Sequence, residues 1–202
     1  MTTLIIIFKI LICALIAYLI GSIPTGYLIV KIKTDKDIRT IGSGSTGATN
    51  VKRVLGKNWF FIVMLLDALK GAIPVILAKI LCNDVYGIYA VVSAVFVIIG
   101  HSKPIFLQFK GGKSVASGVG TLLALNPLVG ILIAVIWAII TYFSRYVSLG
   151  SIIAIALAPI LMYLFKNPIC YIIYSTIAAL YIIYLHRENI KRLLKGQENK
   201  VR

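Results

Sequence analysis

Ser114-Val115-Ala116-Ser117-Gly118-Val119-Gly120-Thr121-Leu122-Leu123-Ala124-Leu125 is the run of small and apolar residues on which the topology turns. A spanning helix needs about 20 apolar residues, so the run is short for one, and Gly118 and Gly120 weaken it further. Six longer apolar stretches surround it, at about 4–30, 59–81, 86–100, 128–144, 147–165 and 168–185. Lys and Arg favour the cytoplasmic side of short loops. If 114–125 crosses the bilayer, four basic segments share one face. They are loop 31–58 (Lys31, Lys33, Lys36, Arg39, Lys52, Arg53, Lys57), loop 101–113 (Lys103, Lys110, Lys113), the turn 145–147 (Arg145) and the tail 186–202 (Arg187, Lys191, Arg192, Lys195, Lys200, Arg202). That face then holds 17 of the 21 basic residues. If 114–125 does not cross, the basic loops split between faces. Charge therefore argues for a crossing independently of hydropathy.

Composition agrees with a membrane chain. Of 202 residues, 60% are hydrophobic and only 13% charged, and the mean hydropathy is +0.98. Soluble domains are roughly half apolar and about a quarter charged. The expectation is an all-α, polytopic membrane protein of seven transmembrane helices, forming a single domain over 1–202, with its N-terminus outside and its C-terminus cytoplasmic. The segment Leu4–Ile20 lacks a basic n-region and a small-x-small cleavage site, so it reads as a mature helix rather than a signal peptide. Gly21-Ser22-Ile23-Pro24-Thr25-Gly26 predicts a kink or unwinding in the first span. Cys13, Cys82 and Cys170 have no metal or disulfide spacing and read as small buried residues. The formal net charge of +15 suits anionic headgroups and anionic substrates better than nucleic acid.

Three polar segments fall on the basic face: Gly42-Ser43-Gly44-Ser45-Thr46-Gly47-Ala48-Thr49-Asn50, Phe109-Lys110-Gly111-Gly112-Lys113-Ser114 and His186-Arg187-Glu188-Asn189. Their convergence favours an active site over a pore or a passive anchor. Gly42-x-Gly44-x-x-Gly47 has the form of a dinucleotide fingerprint, but that motif needs a preceding strand and a βαβ unit, and membrane helices flank it here. What survives is physical. Glycines let backbone N–H groups approach an oxyanion, and Ser43, Ser45, Thr46 and Thr49 add hydroxyl donors. Arg53 can offer a planar fork to phosphate. Lys110-Gly111-Gly112-Lys113-Ser114 ends like a P-loop, yet Leu107 stands where a Walker A motif requires Gly. Two glycines between lysines, leading into a helix, still suggest a phosphate cradle. A basic turn against lipid headgroups is the plainer alternative.

The tail starts as a helix continuing the seventh span, so His186 and Asn189 share a face. Asp67 and Lys70 stand three apart inside the second span and read as a mutual ion pair closing the bundle. An anion or phosphate-ester transporter would place broken helices near the midplane, often in repeat-related pairs. Here the polar groups gather at one interface and no internal repeat is apparent, which disfavours transport.

Six elements occur in order: Gly21-Ser22-Ile23-Pro24-Thr25-Gly26; Asp37-Ile38-Arg39 with Gly42-Ser43-Gly44; Ala48-Thr49-Asn50; Gly100-His101 with Pro104-x-Phe106; Phe109-Lys110-Gly111-Gly112-Lys113; and His186-x-x-Asn189-x-x-Arg192-Leu193. Together they resemble the bacterial membrane acyl-phosphate:glycerol-3-phosphate acyltransferases of the PlsY type. One departure is Ser45, where that family usually has Asn, so no role is carried onto Ser45. The resemblance implies seven helices with cytoplasmic motifs in the inner membrane, and no metal or cofactor. It implies transfer of a fatty acyl group from acyl phosphate to the 1-hydroxyl of glycerol 3-phosphate, giving lysophosphatidic acid in phospholipid biosynthesis. The implied partners are glycerol 3-phosphate, fatty acyl phosphate, membrane lipids and the soluble enzyme that makes acyl phosphate, with no nucleic acid. By the same resemblance Ser43, Arg53, His186 and Asn189 are catalytic. Gly42, Gly44, Thr49, Asn50, His101, Lys110, Gly111, Gly112 and Lys113 bind substrate. The soluble-type acyltransferase pairing of His with Asp four residues later is absent, since Ile105 and Ile190 stand at those places. Acyl phosphate is already activated, so the protein must orient the hydroxyl, offset phosphate charge and assist proton removal. Direct attack, with His186 or a substrate phosphate taking the proton, is the expected chemistry; an acyl-Ser43 intermediate is the rival.

Overall fold

The computed structural model describes residues 2–201. Its regular elements are helical: α1 (Thr2–Ser22), α2 (Thr25–Thr34), α3 (Ala48–Leu55), α4 (Lys57–Leu81), α5 (Ile88–Ser102), α6 (Val115–Leu125), α7 (Pro127–Ser144), α8 (Val147–Leu164), α9 (Ile169–Leu185) and α10 (Arg187–Leu194), with single 3₁₀ turns at Ile38–Thr40 and Ile105–Leu107. Each of the seven apolar stretches contains a helix.

Three features depart from a bundle of seven long helices. The first span breaks between α1 and α2, because Pro24 has no N–H and its ring blocks the preceding turn. The fourth stretch folds as α6, a helix of only 11 residues. At 1.5 Å per residue that is about 16 Å, roughly half of a bilayer's hydrocarbon thickness. Part of the chain before α6 is spent otherwise: Gln108, Phe109 and Ser114 take left-handed backbone as the segment doubles back along the end of α5. Third, the tail does not continue α9 straight; α10 departs at 60°. Five helices are long and apolar enough to cross a membrane alone, with α1 and α2 counted together, and six if α9–α10 is one bent span.

The helices form two compact units, residues up to Thr121 and residues from Leu122 on, with the boundary inside α6. In the first unit α1 crosses α5 closely. A Cβ at Gly21 would overlap the Val97 backbone, and one at Gly100 would overlap Tyr18 O. Small residues of this kind let membrane helices approach where no hydrophobic force drives them together. Val30, Ile38, Val51 and Val63 form a buried cluster under Tyr27 and Trp59, fixing α2 and α3 on α4. Thr46 and Pro104 line one cleft with the α1–α2 break, so loops 31–58 and 101–113 lie at the same end of this unit. Farther down α1, Cys13 Sγ lies 3.7 Å from Cys82 Sγ. The cysteines are half-buried rather than buried.

In the second unit Asn126 caps α7 by accepting from Val129 N (3.2 Å), and its Nδ2 donates to Asn167 Oδ1 (2.9 Å). At the other end Val201 N donates to Arg145 O (2.8 Å). Within each unit taken separately, the basic loops therefore share an end.

Candidate active site

The first polar loop is built by one buried side chain. Asn50, on α3, is 1% exposed. Its Nδ2 lies 2.9 Å from Ile41 O, 2.9 Å from Ser45 O and 3.2 Å from Ile38 O, and its Oδ1 accepts from Ser43 N at 3.2 Å. Two amide hydrogens serve three carbonyls, so one bond is shared. The loop can wrap this side chain because Gly42 (φ +60°) and Gly44 (φ +68°) take left-handed backbone. A Cβ on Gly42 would overlap Asn50 Oδ1 and press on the Arg53 side chain. Ser43 and Arg53 are thus brought together, both exposed, beside a loop held from behind. Just upstream, Asp37 pairs with Arg39 at 2.7 Å, and that guanidinium holds its carboxyl below the usual value.

The second loop differs from an open phosphate nest. Gly111 N donates to Ser102 O (3.2 Å) and Gly112 N to His101 O (3.1 Å). Both N–H groups therefore satisfy the last turn of α5. The glycines are needed for closeness. A Cβ at Gly111 would overlap His101 O and Pro104 Cδ, and one at Gly112 would overlap His101 Nε2. What this loop offers a substrate is the exposed Lys110, with Lys113 half-buried behind it.

His101 is buried, and its imidazole faces inward. Nδ1 shares a hydrogen bond with Ser117 Oγ (3.0 Å) and lies 3.7 Å from Asp67 Oδ1, while Nε2 abuts Gly112. His101, expected among the substrate-binding groups, lines the same cleft as Thr46 and Pro104. Asp67 accepts from Thr25 Oγ1 and pairs with Lys70 at 2.9 Å. Lys70 Nζ also donates to Ile23 O (2.7 Å), a carbonyl turned out of the helical ladder by the break. The Asp67–Lys70 ion pair is present, but it is the middle of a larger buried polar cluster.

In the second unit His186 closes α9, 4% exposed, and its Nδ1 lies 2.8 Å from Ile182 O. A carbonyl only accepts, so in the neutral ring Nδ1 carries the hydrogen and Nε2 the lone pair. Asn189 Nδ2 donates to Glu198 Oε1 at 2.7 Å. The same carboxylate accepts from Arg192 Nε (2.7 Å) and Ser148 Oγ (2.9 Å).

Residues 11–196 match the family described as glycerol-3-phosphate acyltransferase. The chain belongs to that family. A "Glycerol-3-phosphate acyltransferase 2" of Moorella thermoacetica is 44% identical over 191 residues, covering 95% of this chain and 97% of the relative. A "Glycerol-3-phosphate acyltransferase" of Desulforamulus reducens is 46% identical, covering 92% of each. The crystal structure of PlsY, an integral membrane glycerol 3-phosphate acyltransferase, in its glycerol 3-phosphate form matches with a TM-score of 0.90 at 39% identity, covering 96% of both chains. Its lysophosphatidic acid form matches with a TM-score of 0.87 at 38% identity, covering 96% of this chain and 95% of that one. The protein is therefore an integral membrane glycerol-3-phosphate acyltransferase.

Two parts of the acyltransferase escaped the sequence reading. One is the cluster of Thr25, Asp67, Lys70, His101 and Ser117; its signal was an Asp and a Lys in an apolar helix facing a proline break. The other is Glu198, which lay in a polar tail with no local mark. Burial would raise the Glu198 carboxyl, but hydrogen bonds from Asn189, Arg192 and Ser148 outweigh it and hold the group below the ordinary 4.5. A depressed carboxylate contributes stability that is complete above its unfolded value and is lost as pH falls through the lower folded value. Hydrogen-exchange protection of residues 195–201, corrected for intrinsic rates, is therefore expected to hold above pH 4.5 and to fall away below it. In Glu198→Ala it is expected to be low throughout; full protection in that variant would show that the tail is held by other contacts.

Proposed function

We propose that this acyltransferase moves a fatty acyl group from acyl phosphate to the 1-hydroxyl of glycerol 3-phosphate by direct attack, yielding lysophosphatidic acid, with His186 Nε2 taking the hydroxyl proton. The observation that supports the proton role is the Nδ1–H donated to Ile182 O, which sets the tautomer and orientation of the ring. Against Ser43 as the nucleophile stands the orientation of His101, whose ring is turned to Ser117 and Gly112. The donor carries its own activation, since phosphate is a good leaving group in a mixed anhydride. Ser43, Arg53 and Lys110, with Lys113, would then offset phosphate charge through hydroxyl, guanidinium and ammonium donors. Asn189, fixed by Glu198, would orient the glycerol. The matching PlsY structures carry glycerol 3-phosphate and lysophosphatidic acid, the acceptor and the product of this reaction.

Purified protein in vesicles, given acyl phosphate and labelled glycerol 3-phosphate, is expected to form lysophosphatidic acid. No product, with His186→Ala and Gly112→Ala indistinguishable from wild type, would end this reading.

We place the basic end of each unit at the cytoplasmic face of the inner membrane and the N-terminus outside, on the charge distribution. In a chain whose native cysteines are replaced, Lys36→Cys and Lys195→Cys are expected to react with an impermeant maleimide from the cytoplasmic side and Val85→Cys from the opposite side. Labelling of all three from one side would refute the arrangement.

A further inference from the structure

We propose that Asp67, Lys70, His101 and Ser117 form a positioning network that sets the shape of the Lys110–Lys113 loop, and through it the affinity for glycerol 3-phosphate. The inference rests on the reading above that this loop meets the acceptor's phosphate. Asp67, Lys70 and His101 line the cleft at the α1–α2 break, and the role assigned to them is to hold the loop rather than to bind substrate. The chain of contacts starts at the α1–α2 break, where Lys70 Nζ holds Ile23 O at 2.7 Å and Thr25 Oγ1 donates to Asp67. It passes through the Asp67–Lys70 pair at 2.9 Å to His101, 3.7 Å from the same carboxylate oxygen. Ser117, fully buried on α6, fixes the ring from a third helix at 3.0 Å. The ring then ends against Gly112, so closely that a Cβ there would overlap Nε2. His101 O also accepts the Gly112 N–H at 3.1 Å. One residue's main chain and imidazole thus hold the same glycine on two sides. Any rotation of the ring moves the loop.

Burying an Asp–Lys pair is a costly way to hold helices together, since well-packed apolar side chains do as well or better. Fixing a register is the best-attested use of such a pair. Here the register is that of a proline break, α5 and α6 around a loop whose own sequence, Lys110-Gly111-Gly112-Lys113, has little stiffness.

The test is a split between KM and kcat. Ser117→Ala removes the hydroxyl that orients the ring and is expected to raise KM for glycerol 3-phosphate about five- to tenfold, the worth of one buried hydrogen bond, with kcat within about twofold of wild type. Gly112→Ala is expected to raise the same KM by more. The double variant is expected to match Gly112→Ala alone, because both changes act through one ring on one loop. Should Ser117→Ala lose its folded transition, Thr25→Val is read the same way, since it removes a hydroxyl from the far end of the chain. Ser93→Ala, also buried on α5 but about 12 Å along the helix from His101, is expected to leave KM unchanged. An unmoved KM in Ser117→Ala, multiplying effects in the double variant, or an equal rise in Ser93→Ala would each overturn the network. A wild type that makes no product in the same assay sinks the acyl-transfer reading instead.

Discussion

His186→Ala is expected to lower kcat about a thousandfold, the usual worth of a positioned general base, with little change in KM for glycerol 3-phosphate. The expectation follows from the ring's own geometry. With Nδ1–H committed to Ile182 O at 2.8 Å, the neutral imidazole has one orientation and one acceptor nitrogen. Fixing both is what lets a weak base act on a substrate hydroxyl without first reorganising. His186→Gln separates base from scaffold, because an amide at that site can hydrogen-bond but cannot hold the proton. It is expected to be as slow as alanine. If His186→Gln keeps more than about a tenth of wild-type kcat, the proton role passes to a substrate phosphate and His186 is left as an orienting group. A pH–rate profile gives a second check: the acidic limb of kcat is expected in wild type and absent from the residual activity of His186→Ala.

Asn50→Ala is expected to abolish activity by a different route, through the loop that carries Ser43 and Arg53. The Asn50 side chain is almost fully buried and bonds backbone groups of Ile38, Ile41, Ser43 and Ser45. Removing it strips the bond from Ser43 N and Ser45 O, while Ile38 O and Ile41 O keep Ile41 N and Gly44 N. At about 1 kcal/mol for each such bond, the loss is about 2 kcal/mol, enough to loosen the loop locally. Gly42 and Gly44, at φ +60° and +68°, then have less to keep them in one conformation. The isosteric change is the sharper test. Asn50→Asp keeps size and shape but sets a carboxylate against carbonyl oxygens, so it is expected to be as damaging as alanine. A near-normal Asn50→Asp would mean that Asn50 acts on substrate through its oxygen and not on the loop through its amide. The measurements are kcat/KM and hydrogen-exchange protection of residues 41–47.

How much of this was legible in the sequence depends on distance along the chain. Helix positions were, because apolar runs bounded by charge and glycine are local signals. The break at Pro24 was, because proline removes a donor at its own position. So was the shortness of α6, read at 114–125 and found at Val115–Leu125; what it packs against was not. Its apolar run looks like a weak span, whereas in the fold Gly71 lies against Ser117 and Gly120 against the Ala68 backbone, and the residues before it are used to strap the loop to α5. The glycines at 111 and 112 were found, but the reason for them was not. They read as an open nest, while in the fold they make room for His101 and Pro104. Nothing local says that Gly112 must fit a ring eleven residues back. Asp67 and Lys70 were read as a pair from their i, i+3 spacing, yet their other partners, Ile23, Thr25 and His101, lie more than 30 residues away. Glu198 was missed for the same reason, since Ser148 meets it across 50 residues.

Direct passage of the acyl group from donor to acceptor leaves no acyl-enzyme to be trapped. Purified protein in vesicles is incubated with acyl-labelled acyl phosphate alone, quenched, and read by intact-protein mass; glycerol 3-phosphate is then added to a parallel sample. Unmodified protein is expected in the first sample and labelled lysophosphatidic acid only in the second. A stoichiometric acyl adduct on Ser43 in the first sample, discharged to lysophosphatidic acid on adding glycerol 3-phosphate, would contradict direct passage.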